Sequence, residues 1–434
     1  MYSLIGALTL FLILVTFHEY GHYSVARYFK IKIIKFSIGF GPDLYKWKNK
    51  DNIKFSLSAI PFGGYVAFHD PADVDNYNKL NEEDKKYVLA NRPALERSLV
   101  VLAGPIYNFI LAFFVFTLVG LFIPKQSDMV SAQVAEIDSQ KFYEVVAVND
   151  NEIDSVQALE VGLLDLTGYT GSIEIELFDY KDQKQILLTK NVADLKFEEG
   201  ESPSQYFGIK PFADFAPRIA AIESESTAEK VGFMSGDQII QINQESINSM
   251  YQATTLLNTF GQQIVVSIER DGRNLFITLP SKQEGSSYGL RLGPEANSLS
   301  ASIAFGFNQT KFWIVNTFNF LFKTLNGTMG FENLSGPVGI AKVAGDSLVS
   351  GLIPFLLLLG ILSISLGAFN LLPLPMLDGG QFLFILVETL KGSPISLKLK
   401  AALMNLSFLL VLTLFVFVMM NDIARIIWKK YLQH

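Results

Sequence analysis

The chain has 434 residues, 50% of them hydrophobic and 18% charged, with a formal net charge of −7 and a mean hydropathy of +0.30. That is too apolar for a wholly soluble protein, and an acidic chain without a clustered basic patch excludes a nucleic-acid surface. Cysteine is absent, which excludes disulfides, thiolate ligands and a cysteine nucleophile, and the imidazoles available to a metal are the four of His18, His22, His69 and His434.

In chain order, an apolar run over residues 4–17 continues past His18 to Ala26, long enough to cross roughly 30 Å of hydrocarbon as a helix. With no basic residue before it and no small-residue cleavage site after it, the run reads as a retained span and not a signal peptide. The loop over residues 31–97 is rich in lysine and arginine, which places it on the cytoplasmic side. Inside it, residues 35–42 and 53–66 alternate apolar with small or polar residues between glycine-rich breaks, the pattern of short strands. A second, uncharged span covers residues 98–123, with Pro105 near its start and Pro124 closing it. Residues 126–294 read as a soluble region facing outside, and the strand-like stretches 171–177 and 263–270 suggest an internal repeat. A third apolar region, residues 352–390, is interrupted by LPLPMLDGG at 372–380, the mark of a discontinuous helix. The fourth span covers residues 401–420, and the tail with Arg425, Lys429 and Lys430 then falls outside, against the positive-inside tendency.

The expected fold is therefore a polytopic α-helical membrane protein with four transmembrane helices, a membrane-associated β-strand loop and an inserted α+β region. Its expected parts are a membrane domain over 1–125, two outer domains over 126–215 and 216–295, an amphipathic connector over 296–350, and a second membrane segment over 351–434.

On a helix, His18 and His22 lie one turn apart on one face, the spacing two imidazoles need to share a metal, with Glu19 beside them. Placing two of four histidines and a glutamate inside an uncharged span is costly unless they act together, which favours a metal over interhelical hydrogen bonding. Zinc takes imidazole nitrogen readily, and an open position on it lowers the pKa of a bound water toward about 7, within reach of a base such as Glu19. A third ligand has to come from His69, His434 or a carboxylate. Asp378, in the break of the third region, is the preferred candidate over its alternative role as a helix-capping aspartate, and His69 reads as an ordinary loop histidine. Asn370 is a candidate for hydrogen bonding to substrate or an oxyanion, with an interhelical bond as the alternative. A transporter would show paired breaks in two repeats, whereas one break is evident. A scaffold with a structural zinc would need four protein ligands and no base.

The segments HEYGH at 18–22, FSIGFGP at 36–42 and NLLPLPMLDGG at 370–380 together resemble the site-2 protease family over nearly the whole chain, in its regulator-of-sigma-E branch. The stretch PRIAAI at 217–222 followed by AEKVGFMSGD at 228–237 resembles a PDZ domain. Residues 134–154 look like a degenerate PDZ unit that lacks the Gly-Asp turn. The resemblance implies zinc held by His18, His22 and Asp378, Glu19 as the base, and substrate engagement around Gly63, Gly64 and Tyr65. Asn370, Pro373 and Pro375 are the further residues expected around the substrate. It also implies a Gram-negative inner-membrane protease with periplasmic PDZ units and an active site toward the cytoplasmic side within the bilayer. Its implied partners are single-pass membrane proteins: an anti-sigma factor already trimmed during envelope stress, and remnant signal peptides. The PDZ region is expected to screen substrates by size, and gripping a peptide terminus is the alternative.

Overall fold

A computed structural model of the chain describes residues 2–71, 73, 77–124, 126–197, 202–258, 261–283, 286–294, 297–327 and 336–432. The candidate ligand His434 lies outside the described residues. The chain divides into two compact units, Met1–Gly120 with Ser302–His434, and Leu121–Ala301.

The first unit begins with α1 (Tyr2–Tyr28), whose run of leucine, isoleucine and valine forms 27 residues of uninterrupted helix. Strands β1 (Ile33–Lys48) and β2 (Lys54–Phe68) follow as an antiparallel pair. The pair is folded back on itself, so that Phe36 faces Val66 on one side and Phe55 on the other, and Ser37 likewise faces Tyr65 and Ser56. Gly39 and Gly41, at φ 89° and 84°, supply the left-handed backbone that lets β1 turn. Buried Ser37 ties the fold together through Ser56 at 2.9 Å and Ser58 at 3.0 Å. The end of β2 near Tyr65 pairs with β1 along one edge, and its other edge has no strand partner among the described residues. Helix α2 (Ala94–Phe122) starts four residues before the expected boundary, so Pro105 lies well inside the helix and not near its start. The helix tolerates it because the flanking turns are packed: Ala103, Gly104 and Asn108 are all buried. Helices α1 and α2 touch at small residues, as lipid-embedded crossings do; a Cβ on Gly21 would lie 2.5 Å from the Ala103 carbonyl oxygen.

The second unit holds two sheets of identical order. Strands β3 (Gln126–Val134), β4 (Asp138–Val148), β5 (Asn151–Glu152), β6 (Gly171–Asp179), β7 (Lys184–Val192) and β8 (Ile209–Phe215) run β7-β6-β4-β3-β8, with β5 on β4 and helix α3 (Val156–Leu164) between β5 and β6 in sequence. Then β9 (Arg218–Ile222), helix α4 (Thr227–Val231), β10 (Gln238–Ile242), β11 (Glu245–Ser246), helix α5 (Met250–Leu257), β12 (Ile264–Arg270), β13 (Arg273–Leu279) and β14 (Leu290–Gly293) repeat the pattern as β13-β12-β10-β9-β14, with β11 on β10. Strand alternation puts Ile173, Ile175 and Leu177 into one core and Ile264, Val266 and Ile268 into the other.

The connector folds into α6 (Leu299–Leu325) and α7 (Pro337–Ser350). The third apolar region resolves into α8 (Leu352–Asn370), a break at residues 371–377, and a separate α9 (Asp378–Lys391), and α10 (Leu397–Leu432) closes the chain. Among the described residues, four helices are long and apolar enough to cross a membrane: α1, α2, α8 and the Leu397–Ala424 part of α10. Leu10 and Leu14 of α1 form a common core with Leu111 and Val115 of α2 and with Phe355 and Leu359 of α8. Buried Asp422 of α10 caps α7, accepting the Gly336 and Gly339 N–H groups at 3.1 and 2.8 Å.

Candidate active site

Helix α1 is regular through residue 28, so His18 and His22 project one turn apart and Glu19 lies between them in sequence, all in a lipid-length segment. Asp378 opens α9, yet it does not cap it: Leu377 takes the cap position, and the Asp378 carboxylate turns toward α1. The His18 and His22 Nε2 atoms are 3.3 Å apart, and Asp378 Oδ2 stands 3.2 Å from the first and 3.6 Å from the second. Ligand bonds of about 2.0–2.1 Å at tetrahedral angles separate neighbouring donor atoms by about 3.3 Å, so the triangle has the size that zinc requires. Asp378 Oδ2 is also buried with no hydrogen bond directed at it among the described residues, although both imidazoles are near. An acceptor left in that state fits a cation at the centre of the triangle. Among the described residues this is the single group of three potential metal ligands.

The surrounding backbone fixes the site. His22 Nδ1 is 2.8 Å from the Val100 carbonyl oxygen; a carbonyl can only accept, so Nδ1 carries the proton and Nε2 keeps its lone pair. Gly104 of α2 lies against both imidazoles, and a Cβ there would collide with His22 Nε2 and sit 2.8 Å from His18 Cε1. Glu19 is buried at 7% exposure. It packs under β2, where a Cβ on Gly64 would be 2.9 Å from Glu19 Cγ, and the Val66 backbone N–H is directed at its carboxylate. Farther along the hairpin, hydrogen bonds from Lys35 and then Lys54 hold the Asp43 carboxyl well below the usual carboxylate range.

A cavity of about 540 Å³ opens onto these groups. Of the residues expected from sequence, Gly63, Gly64, Tyr65 and Asn370 line it together with His18, Glu19, His22 and Asp378. Pro373 and Pro375 do not; Pro375 instead receives the Gln381 side-chain N–H on its carbonyl at 2.6 Å, which braces the break before Asp378. His69 lines a neighbouring cavity of about 250 Å³ with Arg97 and Lys400 and is not part of the triangle. Sequence reading missed Phe40, Val66 and Gln381 of the lining, and Gly104 and Asn108 of α2. A signal for the last two existed, a glycine and an amide four residues apart in a span without charge.

The profile of peptidase family M50 matches residues 6–414 of the chain. The chain is 30% identical to the regulator of sigma E protease of Haemophilus influenzae, with 95% of this chain and 97% of that protein covered. It is 30% identical to a Vibrio cholerae protein whose description names a zinc metalloprotease, over 95% and 96% of the two chains. To the regulator of sigma-E protease RseP of Escherichia coli it is 28% identical, again over 95% and 96%.

Proposed function

The chain belongs to peptidase family M50, the site-2 protease family, and from that premise we propose that it cuts single-pass membrane proteins within their spanning segments at the His18–His22–Asp378 triangle. It is a zinc-dependent intramembrane metalloprotease of a bacterial membrane, acting in regulated intramembrane proteolysis of the sigma-E type. One observation carries the assignment of residues: three donor atoms 3.2–3.6 Å apart, with a buried carboxylate beside them, open into one cavity walled by a strand edge.

His18, His22 and Asp378 would hold the zinc, which when bound supplies a Lewis acid and a water of lowered pKa. Beside it, the Glu19 carboxylate would serve as the base that takes up a proton from water and passes it to the departing amine, and its burial would keep competing solvent from the carboxylate. A helical peptide bond is shielded by its own hydrogen bonds, so the substrate has to unwind. The free edge of β2 at Gly63, Gly64 and Tyr65 offers backbone groups on which an extended segment can add as a strand. Asn370 lines the same cavity and would donate its amide to the substrate backbone. The finer reading is that the substrates are a trimmed anti-sigma factor and remnant signal peptides in a Gram-negative inner membrane. In that reading the outer β units are periplasmic and screen substrates by size, and the site lies toward the cytoplasmic face.

Metal analysis of the purified protein together with cleavage of a model transmembrane segment tests this. One zinc per chain is expected, lost in His18→Ala and Asp378→Ala, whereas Glu19→Gln keeps the zinc and loses about 10²–10⁴-fold in turnover. Full zinc in Asp378→Ala, or brisk cleavage by Glu19→Gln, overturns the assignment.

A further inference from the structure

Helix α2 presents Val100, Gly104 and Asn108 at steps of four residues, facing His22 and His18, themselves four apart on α1. Val100 meets His22 Nδ1 through its carbonyl, and Gly104 leaves room for both rings. Asn108 meets His18: its side-chain amide stands 3.2 Å from Nδ1, on the far side of the ring from the triangle. Asn108 is fully buried. Its backbone is pinned by the Ser363 hydroxyl, which donates to the Asn108 carbonyl at 2.7 Å, and by α8 at Gly367, where a Cβ would come within 3.3 Å of Asn108 Cβ.

The two edges of an amide have nearly the same shape, and the Asn108 edge turned away from His18 is buried without a hydrogen-bond partner among the described residues. Nothing on that far side selects which edge faces the imidazole, so the imidazole itself decides. A neutral ring carries one proton. If Nδ1 accepted a hydrogen bond from the amide NH₂, that proton would sit on Nε2, the atom that converges on His22 Nε2 and Asp378 Oδ2 at 3.3 and 3.2 Å, and a protonated nitrogen cannot be a ligand. With the proton on Nδ1, the amide oxygen is the acceptor that this neighbour can offer. We infer that Asn108 is a positioning residue for His18, its side-chain oxygen accepting the Nδ1–H and reserving Nε2 for the metal. Helix α2 thereby gives both histidines the same instruction, through a carbonyl at Val100 and an amide oxygen at Asn108.

The inference rests on His18 being a zinc ligand, and the experiment separates the two. Zinc affinity of the full-length protein is measured against a competing chelator for the wild type, His18→Ala, Asn108→Leu and Asn108→Asp. Asn108→Leu removes the acceptor at similar volume and should weaken zinc binding about 10–100-fold. Asn108→Asp keeps an acceptor and should stay within a few-fold of wild type. In the zinc-loaded wild type, a downfield His18 Nδ1–H proton resonance in slow exchange with water is expected, and it should persist in Asn108→Asp. Zinc held by Asn108→Leu as tightly as by wild type, or by Asn108→Asp as weakly as by Asn108→Leu, overturns the role of Asn108. Unchanged zinc in His18→Ala would instead overturn the ligand assignment. Should Asn108→Leu fail to fold, absence of the slow-exchanging proton in the wild type decides against the inference on its own.

Discussion

The two β units of the Leu121–Ala301 region have the same design down to single residues, and they differ where a ligand could enter. In each, the second strand of the unit, β4 or β10, carries the same irregularity: the register shifts between Val145 and Ala147 opposite β6, and between Ile239 and Gln241 opposite β12. Each strand then enters a tight turn with two residues at positive φ, Asn149 and Asp150 in one, Asn243 and Gln244 in the other. The asparagine side chain accepts the backbone N–H of Glu174 or of Val265, and a serine seven residues after the strand end, Ser155 or Ser249, caps the next helix. The differences are local. The second unit buries Asp237 in a fork of Arg270, where the corresponding strand of the first buries Tyr143. The first unit folds its own chain against α3, the Glu160 carboxylate accepting the Ser204 N–H at 3.1 Å and its hydroxyl at 2.5 Å. The second leaves a cavity of about 290 Å³ between α5 and the edge strand β14. One backbone plan therefore specifies the sheet, and a few side chains decide whether its groove is closed or open.

The comparison breaks most visibly at Asp237. Arg270→Ala would leave that carboxylate, at 1% exposure, without its cation, and should destabilise the second unit by about 3–5 kcal/mol while the first keeps its protection in hydrogen exchange. Equal loss in both units would mean that they unfold as one body.

A smaller effect is expected at Asp214, a buried residue of β8 that accepts the Ser131 hydroxyl at 2.9 Å and the backbone N–H of Met250 at 3.1 Å, at the start of α5. Asp214→Ala should cost about 2–3 kcal/mol, with faster amide exchange at the first turn of α5 as the local sign of lost coupling between the copies. Ser155→Ala and Ser249→Ala probe the shared part of the plan. Each should cost about 1 kcal/mol by thermal unfolding, and a large inequality between them would show that the caps are not equivalent.

The smallest effect concerns pH. Burial raises the Glu144 carboxyl above its ordinary range, against the hydrogen bond from the Tyr180 hydroxyl, which lowers it. A carboxyl raised in the folded state gives its full contribution below the unfolded value of about 4.3 and loses it as the pH rises through the folded value. The first unit should therefore lose protection slightly on going from pH 4 toward neutrality, and Glu144→Gln should flatten that slope without changing the second unit. A slope unaffected by the substitution would place its origin elsewhere.

The amino-acid sequence by itself determined the four spans, the helical spacing of His18 and His22, the break that carries Asp378 and the strand character of the two hairpin segments. These are consequences of short-range rules: hydrophobic length, a 3.6-residue turn, and the refusal of proline and glycine to continue a helix. It also suggested the repeat, through the strand-like stretches 171–177 and 263–270, but not that the copy over residues 126–215, expected as degenerate, completes a sheet of the same order. The span edges were less legible, since α2 begins in the polar run before the apolar stretch and α10 continues beyond it. What the tertiary structure alone decided is which distant groups meet. Asp378 lies 356 residues from His22 yet shares its triangle, because α8 and the break deliver it there, and its local sequence also allowed a capping role. Val100 reads as an ordinary residue of an apolar helix, and the Gly104–Asn108 spacing as an unassigned signal, until α1 is laid against them. The physical reason is that a metal triangle and the hydrogen bonds behind it are fixed by distances of about 3 Å across a helix crossing, and no pattern along one strand of sequence encodes a crossing.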